Sequence, residues 1–210
     1  MISPETVRLI KLGTGVAETN QLIEKALSIF DCPLDTSSGL EPPQPLRFWN
    51  PADGVANLKM ILSSGQAGAG RTALDVARKY DLPHGGWCPR KRKAEDGPID
   101  GRYHLIETPS PDYVQCTDWN VRDSDGTVIL TIAKKLTGGL LRVPVFAETY
   151  GRPWMHFPLC EVERNCWMLE RFIFQHRITV LNVTGSRASQ EPDIGNCVQS
   201  WLEDIFFWKP

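Results

Sequence analysis

No stretch of the 210-residue chain approaches the roughly 20 apolar residues of a spanning helix, so no membrane partner is expected. Met1-Ile2-Ser3-Pro4-Glu5 lacks the basic-then-apolar order of a secretory signal, and a cytoplasmic location is the expectation. Neither sign of charge is in excess: 23 basic side chains face 25 acidic ones, for a formal charge of −2. That balance offers no basic field, so no nucleic-acid partner is expected. The six cysteines (Cys32, Cys88, Cys116, Cys160, Cys166 and Cys197) form no C-x-x-C pair and no disulfide framework. They read as reduced thiols, several buried as small hydrophobes. The phosphate-loop pattern G-x-x-x-x-G-K-[ST] is missing, which argues against ATP hydrolysis. Ser64 and Ser186 lie in glycine turns, but neither sits in a G-x-S-x-G elbow. No internal repeat is visible.

What is present suits one large soluble domain with an extension. Residues 1–54 form the extension. It contains an apolar stripe at helical spacing (Leu22, Ile23, Ala26, Leu27, Phe30), then a linker carrying Pro33, Pro42, Pro43, Pro45 and Pro51. Residues 55–210 alternate regularly. Strands are predicted over 58–62, 82–87, 127–132, 153–157 and 178–183, and helices over 71–80, 111–122, the stretch ending near Tyr150, 162–175 and 192–207. Cys88 to Ser110 reads as a long irregular segment. The pattern predicts a Rossmann-like three-layer α/β/α domain with a mostly parallel sheet of five strands or slightly more.

In such a sheet, ligands bind where the carboxyl ends of the strands line up. Four glycine turns fall there: Ser64-Gly65-Gln66-Ala67-Gly68-Ala69-Gly70-Arg71, Gly85-Gly86-Trp87, Thr137-Gly138-Gly139 and Thr184-Gly185-Ser186-Arg187. Without a Cβ, peptide N–H groups can approach an anion closely, and the helix that follows adds partial positive charge. Arg71 and Arg187 supply cations suited to phosphate or carboxylate. The sequence therefore predicts a small anionic ligand, bearing phosphate, on this edge.

The strings that join these turns resemble the putative molybdenum carrier family. They are S-G-Q-x-G-x-x-R-x-A-L-D from Ser64, H-G-G-W-C-P from His84, A-E-D-G-P-I from Ala94, W-N-V-R-D-S-D-G-T from Trp119, L-T-G-G from Leu136 and L-N-V-x-G from Leu181. They run in the family's order from about residue 58 to 207. The resemblance implies a Rossmann-like fold related to molybdenum-cofactor carriers and to lysine-decarboxylase-like (Lonely Guy) proteins. In that group nucleotides or their derivatives are bound, and some members hydrolyse nucleoside monophosphates at the glycosidic bond. It leaves the cofactor unidentified, with a nucleotide or molybdenum cofactor both implied, and related folds suggest a homodimer by analogy. This chain departs from the family's pattern at Ala67, Gly70, Cys116, Leu140 and Val145. These hold a Thr, an Asp, an Arg, a Thr and a Glu in the pattern, so groups able to bind ribose, hold a metal or move a proton are missing.

Other candidates have ordinary readings beside the functional one. His84, Cys88 and Cys116 match no strong zinc spacing, and packing is favoured. Glu95 and Asp96 stand evenly between function and loop capping. Arg90-Lys91-Arg92-Lys93 reads as a solvated charged surface. Trp87 either stacks on a base or covers the core, Asn120 can hydrogen-bond a ligand, and Trp154, Trp167, Trp201 and Trp208 are expected to pack. The reading favours a binding or carrier protein, with Gly65, Gln66, Gly68, Gly70, Arg71, Gly85, Gly86, Trp87, Glu95, Asn120, Thr137, Gly138, Gly139, Gly185 and Arg187 around the ligand. The alternatives are a nucleotide N-glycosidic hydrolase and an interaction module with a degenerate site.

Overall fold

The computed structural model describes residues 58–159 and 166–207. They belong to the second of the two units into which the chain divides, Asn50–Pro210. The expected helix and linker of residues 1–54, together with Cys32, Cys160, Trp208 and the side chains of Cys166 and Trp167, lie outside the described residues.

The elements are β1 (Met60–Leu62), α1 (Ala69–Lys79), β2 (His84–Cys88), β3 (Leu105–Glu107), α2 (Tyr113–Arg122), β4 (Gly126–Thr131), α3 (Arg142–Thr149), β5 (Trp154–Pro158), α4 (Cys166–Gln175), β6 (Val180–Gly185) and α5 (Ile194–Phe207). Short 3-10 turns cover Arg90–Arg92 and Gly138–Leu141. One six-stranded sheet runs in the order β3-β2-β1-β6-β4-β5, and every neighbouring pair is parallel. The sixth strand, β3, arises inside the segment that reads as irregular in the sequence. It is three residues long at the sheet edge with Ile106 and Glu107 exposed, so no buried apolar run announces it.

Handedness decides where the helices go. The crossovers β1→β2 and β5→β6 travel one way across the sheet, while β3→β4 and β4→β5 travel the other. Right-handed connections then require opposite faces. In agreement, α1, α4 and α5 pack together and α2 packs on α3. Strand β4 is buried along its whole length and serves both layers. Its Val128 and Leu130 join the larger core with Leu74, Val198 and Trp201, whereas Ile129 joins Val121, Val143 and Ala147 on the other face. The Trp201 ring lies 4.9 Å from that of Phe157.

The last strand, β6, lies at the centre. Counted from β6 instead of β1, the strands step outward through β1 and β2 to β3, then continue on the other side through β4 to β5. The turns after β1 and β6 lead to helices on one face, and the turn after β4 leads to the other. A crevice opens between them at the carboxyl edge.

In the basic run Arg90, Lys91 and Lys93 are exposed, as expected, and Arg92 is the exception. Arg92 folds back so that its guanidinium donates to the carbonyls of Ile99 (2.7 Å), Asp100 (2.6 Å), Tyr103 (3.1 Å) and Leu105 (3.2 Å). Three of those carbonyls belong to the loop before β3 and the fourth to Leu105 at its start, and a five-donor fork satisfies them together.

Candidate functional site

The crevice is a cleft of about 190 Å³. The β1–α1 turn contributes Ser64, Gln66, Ala67 and Gly70; the β6–α5 turn contributes Thr184 to Arg187 and Gln190. Opposite them stand Tyr113, Val114, Cys116 and Thr117 at the start of α2, and Gly139, Leu140, Arg142, Val143 and Phe146 around the start of α3. Among the described residues the lining thus holds two arginines and no carboxylate.

The two glycine turns beside this cleft are stitched together by their backbones. Ala69 N–H donates to the Ser186 carbonyl at 3.1 Å, Ala188 N–H donates to the Ala67 carbonyl at 3.0 Å, and Gly68 bridges Arg187. Glycine is required for this approach. Gly68 has φ +106°, and a Cβ there would stand 2.6 Å from the Ser186 oxygen. At Gly185 a Cβ would stand 2.0 Å from the Leu130 oxygen and 2.8 Å from Ala69 Cβ, so β6, β4 and α1 close only around a bare Cα.

Among the residues nominated from sequence, Gln66, Gly70, Gly139, Gly185 and Arg187 line the cleft, and Gly68 and Gly138 adjoin lining residues. The others do not line it. Gly65 packs against Leu105 and Ile99, Gly85 against Met60, and Gly86 against Ser63. The Asn120 side chain pairs with the Trp87 backbone, accepting from its N–H at 2.8 Å and donating to its carbonyl at 2.9 Å, past the point where β1 ends. Trp87 Nε1 donates to Asp123 at 2.7 Å, and its ring meets Trp119 edge-on at 4.8 Å. Glu95 accepts from the Ser189 N–H (3.0 Å) and hydroxyl (2.6 Å). Thr137 is exposed ahead of the 3-10 turn.

Arg71 is already engaged. Its guanidinium binds Asp96 with both terminal nitrogens, and its Nε donates to the Gly65 carbonyl at 3.0 Å. With Gln66 Nε2 donating to the Lys93 carbonyl at 2.9 Å, these bonds strap the Lys93–Asp96 loop across both glycine turns. The free cation on this side is instead Arg187. Its guanidinium lies 4.2 Å above the Tyr113 ring and has no carboxylate partner among the described residues. Arg142, across the cleft, is exposed and equally without an acid partner among those residues. Sequence reading missed Arg142 and Tyr113, because neither sits in a glycine turn. The one available signal was for Tyr113, which falls near the start of the helix predicted over 111–122.

Electrostatics at the margins is structural. Burial, with Cys88 nearby, pushes the Cys116 thiol up to about 12, so it stays protonated. Burial also pulls the Glu191 carboxyl upward, but the Ile132 and Ala133 amides, donating at 2.7 and 2.8 Å, hold it below its ordinary value. Glu191 thereby ties the chain after β4 to the turn after β6. Asp96 is held low by Arg71. His84 stacks on His104 at 4.8 Å, at the opposite end of β2 from Cys88, and no group of three or more candidate metal ligands occurs among the described residues. No helix among them is long and apolar enough to cross a membrane.

A family model described as the circularly permutated YpsA SLOG family matches residues 61–206. The central place of the last strand is what a permuted order looks like: β6 is the natural first strand, moved to the end of the chain. The chain belongs to the circularly permutated YpsA SLOG family. In this chain the turn after β6 holds the place of the first strand-to-helix turn of an unpermuted Rossmann order, which is where phosphates are usually cradled. A solved structure described as "Putative molybdenum carrier protein" from Syntrophus aciditrophicus SB is similar, with a TM-score of 0.69 and 39% identity over 72% of this chain and 96% of that chain. No curated protein matches the chain.

Proposed function

We propose that this protein is a binding or carrier protein for a small phosphate-bearing ligand held between Arg187 and Arg142. The observation that carries this reading is the charge of the lining: among the described residues it holds two arginines and no carboxylate, in a chain whose formal charge is −2. The start of α1 adds partial positive charge at Gly70, which lines the same cleft. A nucleoside monophosphate belongs to this ligand class, as the family's kinship with nucleotide-binding folds supports.

Binding is favoured over glycosidic hydrolysis because the described residues of the lining offer neither a carboxylate nor an imidazole as general acid or base. Two acids tied to the turn after β6 have other tasks: Glu95 holds Ser189, and Glu191 holds the amides after β4. A molybdenum-bearing pterin fits less well. The one cysteine in the described lining, Cys116, is held protonated by burial and offers no thiolate at neutral pH. Calorimetric titration of the full chain with AMP tests the proposal. Saturable binding is expected, weakened on the order of tenfold or more by Arg187→Ala, which removes a charge-assisted contact. Binding of AMP that is indifferent to Arg187 and Arg142 would overturn it.

A further inference from the structure

The two lining arginines balance the roughly −2 charge of one phosphomonoester at neutral pH, and a third cation stands at the rim. Lys93 is placed there from both ends. Its carbonyl accepts from the side-chain amide of Gln66 at 2.9 Å, and Gln66 lines the cleft. Its ammonium lies 5.5 Å from the centre of the Tyr113 ring on the opposite wall, the ring that also carries the Arg187 guanidinium at 4.2 Å. Lys93 thus reaches from the β1–α1 turn to the start of α2. Two cations gathered on one ring repel each other, and an anion beside them relieves that repulsion. The neighbouring acids are engaged elsewhere. Glu95 holds Ser189, Asp96 holds Arg71, Glu107 accepts from the Lys91 N–H, and Asp112 caps the Val114 N–H. Among the described residues none of these four pairs with Lys93, whose side chain is exposed.

Resting on the reading of this cleft as an anion site, we infer that its ligand carries a second phosphate joined to the first, as a nucleoside diphosphate does, and that Lys93 binds it. One phosphate sits between Arg187 and Arg142, and its neighbour meets the Lys93 ammonium beside Tyr113. A nucleoside monophosphate engages the arginines alone. The second phosphate adds negative charge beyond what two guanidinium groups balance, and the third cation matches it. An ammonium is a compact point charge on a flexible stem, suited to the exposed end of such a chain. Gln66 fixes the root of that stem at the rim, so only side-chain freedom is lost when the contact forms.

Calorimetry on the full chain with ADP and AMP, without divalent cations, tests the inference. ADP is expected to bind about fivefold tighter than AMP at low ionic strength, and the margin to narrow as salt screens the exposed ammonium. Lys93→Gln leaves the backbone carbonyl that Gln66 holds and is expected to bring the ratio near one. Lys93→Arg, which restores the charge, is expected to retain the preference. Equal binding of ADP and AMP, or an ADP preference that survives Lys93→Gln, overturns the inference and leaves the anion site standing. If neither nucleotide binds the unmodified chain, the anion site fails and takes the inference with it.

Discussion

Gly185 and Gly139 both line the cleft, yet the fold asks different things of them. A side chain at Gly185 would enter the Leu130 carbonyl, whereas a Cβ at Gly139 meets nothing within 4 Å. Gly185→Ala is therefore expected to cost about 2 kcal/mol or more in urea unfolding, and Gly139→Ala to stay within about 0.5 kcal/mol. Cys116 gives a prediction with a pH sign. Burial raises its folded pKa from 9.0 to about 12, so the fold favours the neutral thiol. That stability is fully present below pH 9 and is lost as pH rises toward 12. Unfolding midpoints measured between pH 8 and 11 should fall, and Cys116→Ala should flatten the fall. A thiol in this state should also alkylate slowly in the native protein.

The strap over the glycine turns shows how elements far apart in the chain share one edge. Arg71 on α1 holds Asp96, Glu95 holds Ser189 after β6, and Arg92 gathers the loop's own carbonyls. Asp96→Asn removes the charge from the Arg71 tie, whose acid is half exposed, so the expected loss of stability is about 1 kcal/mol or less. The informative measurement is local: trypsin should cut within Arg90–Lys93 several-fold faster. Because Arg71 holds the Asp96 carboxyl below its ordinary 3.8, the tie is present above that pH and loosens only as pH falls through the lower folded value. Proteolysis rates for the native strap should therefore stay flat across neutral pH. This is also why the acidic pair was only half legible in the sequence. Two adjacent carboxylates look alike until the fold shows which cation and which amide each one meets.

At the scale of the whole molecule, strand order predicts that the break between β6 and β1 is a matter of connection. A chain beginning at Arg177, running to Pro210, then through a flexible linker into Asn50 and on to His176, should form the same sheet with β6 as its first strand. Circular dichroism and thermal unfolding check the fold, and retained affinity for AMP checks the cleft. The new break falls in the turn before β6, where Arg177 has φ +52°, well away from the carboxyl edge. Loss of cooperative unfolding in that chain would show that the natural connection matters to the sheet.

Local periodicity by itself determined five of the strands and all five helices of the described domain, because a buried strand or an amphipathic helix writes its burial into neighbouring residues. It also placed three of the four expected glycine turns on one edge, since parallel strands must align their ends, whereas Gly85-Gly86-Trp87 lies inside β2. Tertiary structure alone decided the edge strand β3, too short and too exposed to leave a pattern, and the central position of β6, which depends on pairing between distant segments. It also decided which cations are free. Arg71 and Arg187 look equivalent in sequence, but only packing brings Asp96 to one and Tyr113 to the other, and Coulomb partners are set by distance through space rather than along the chain.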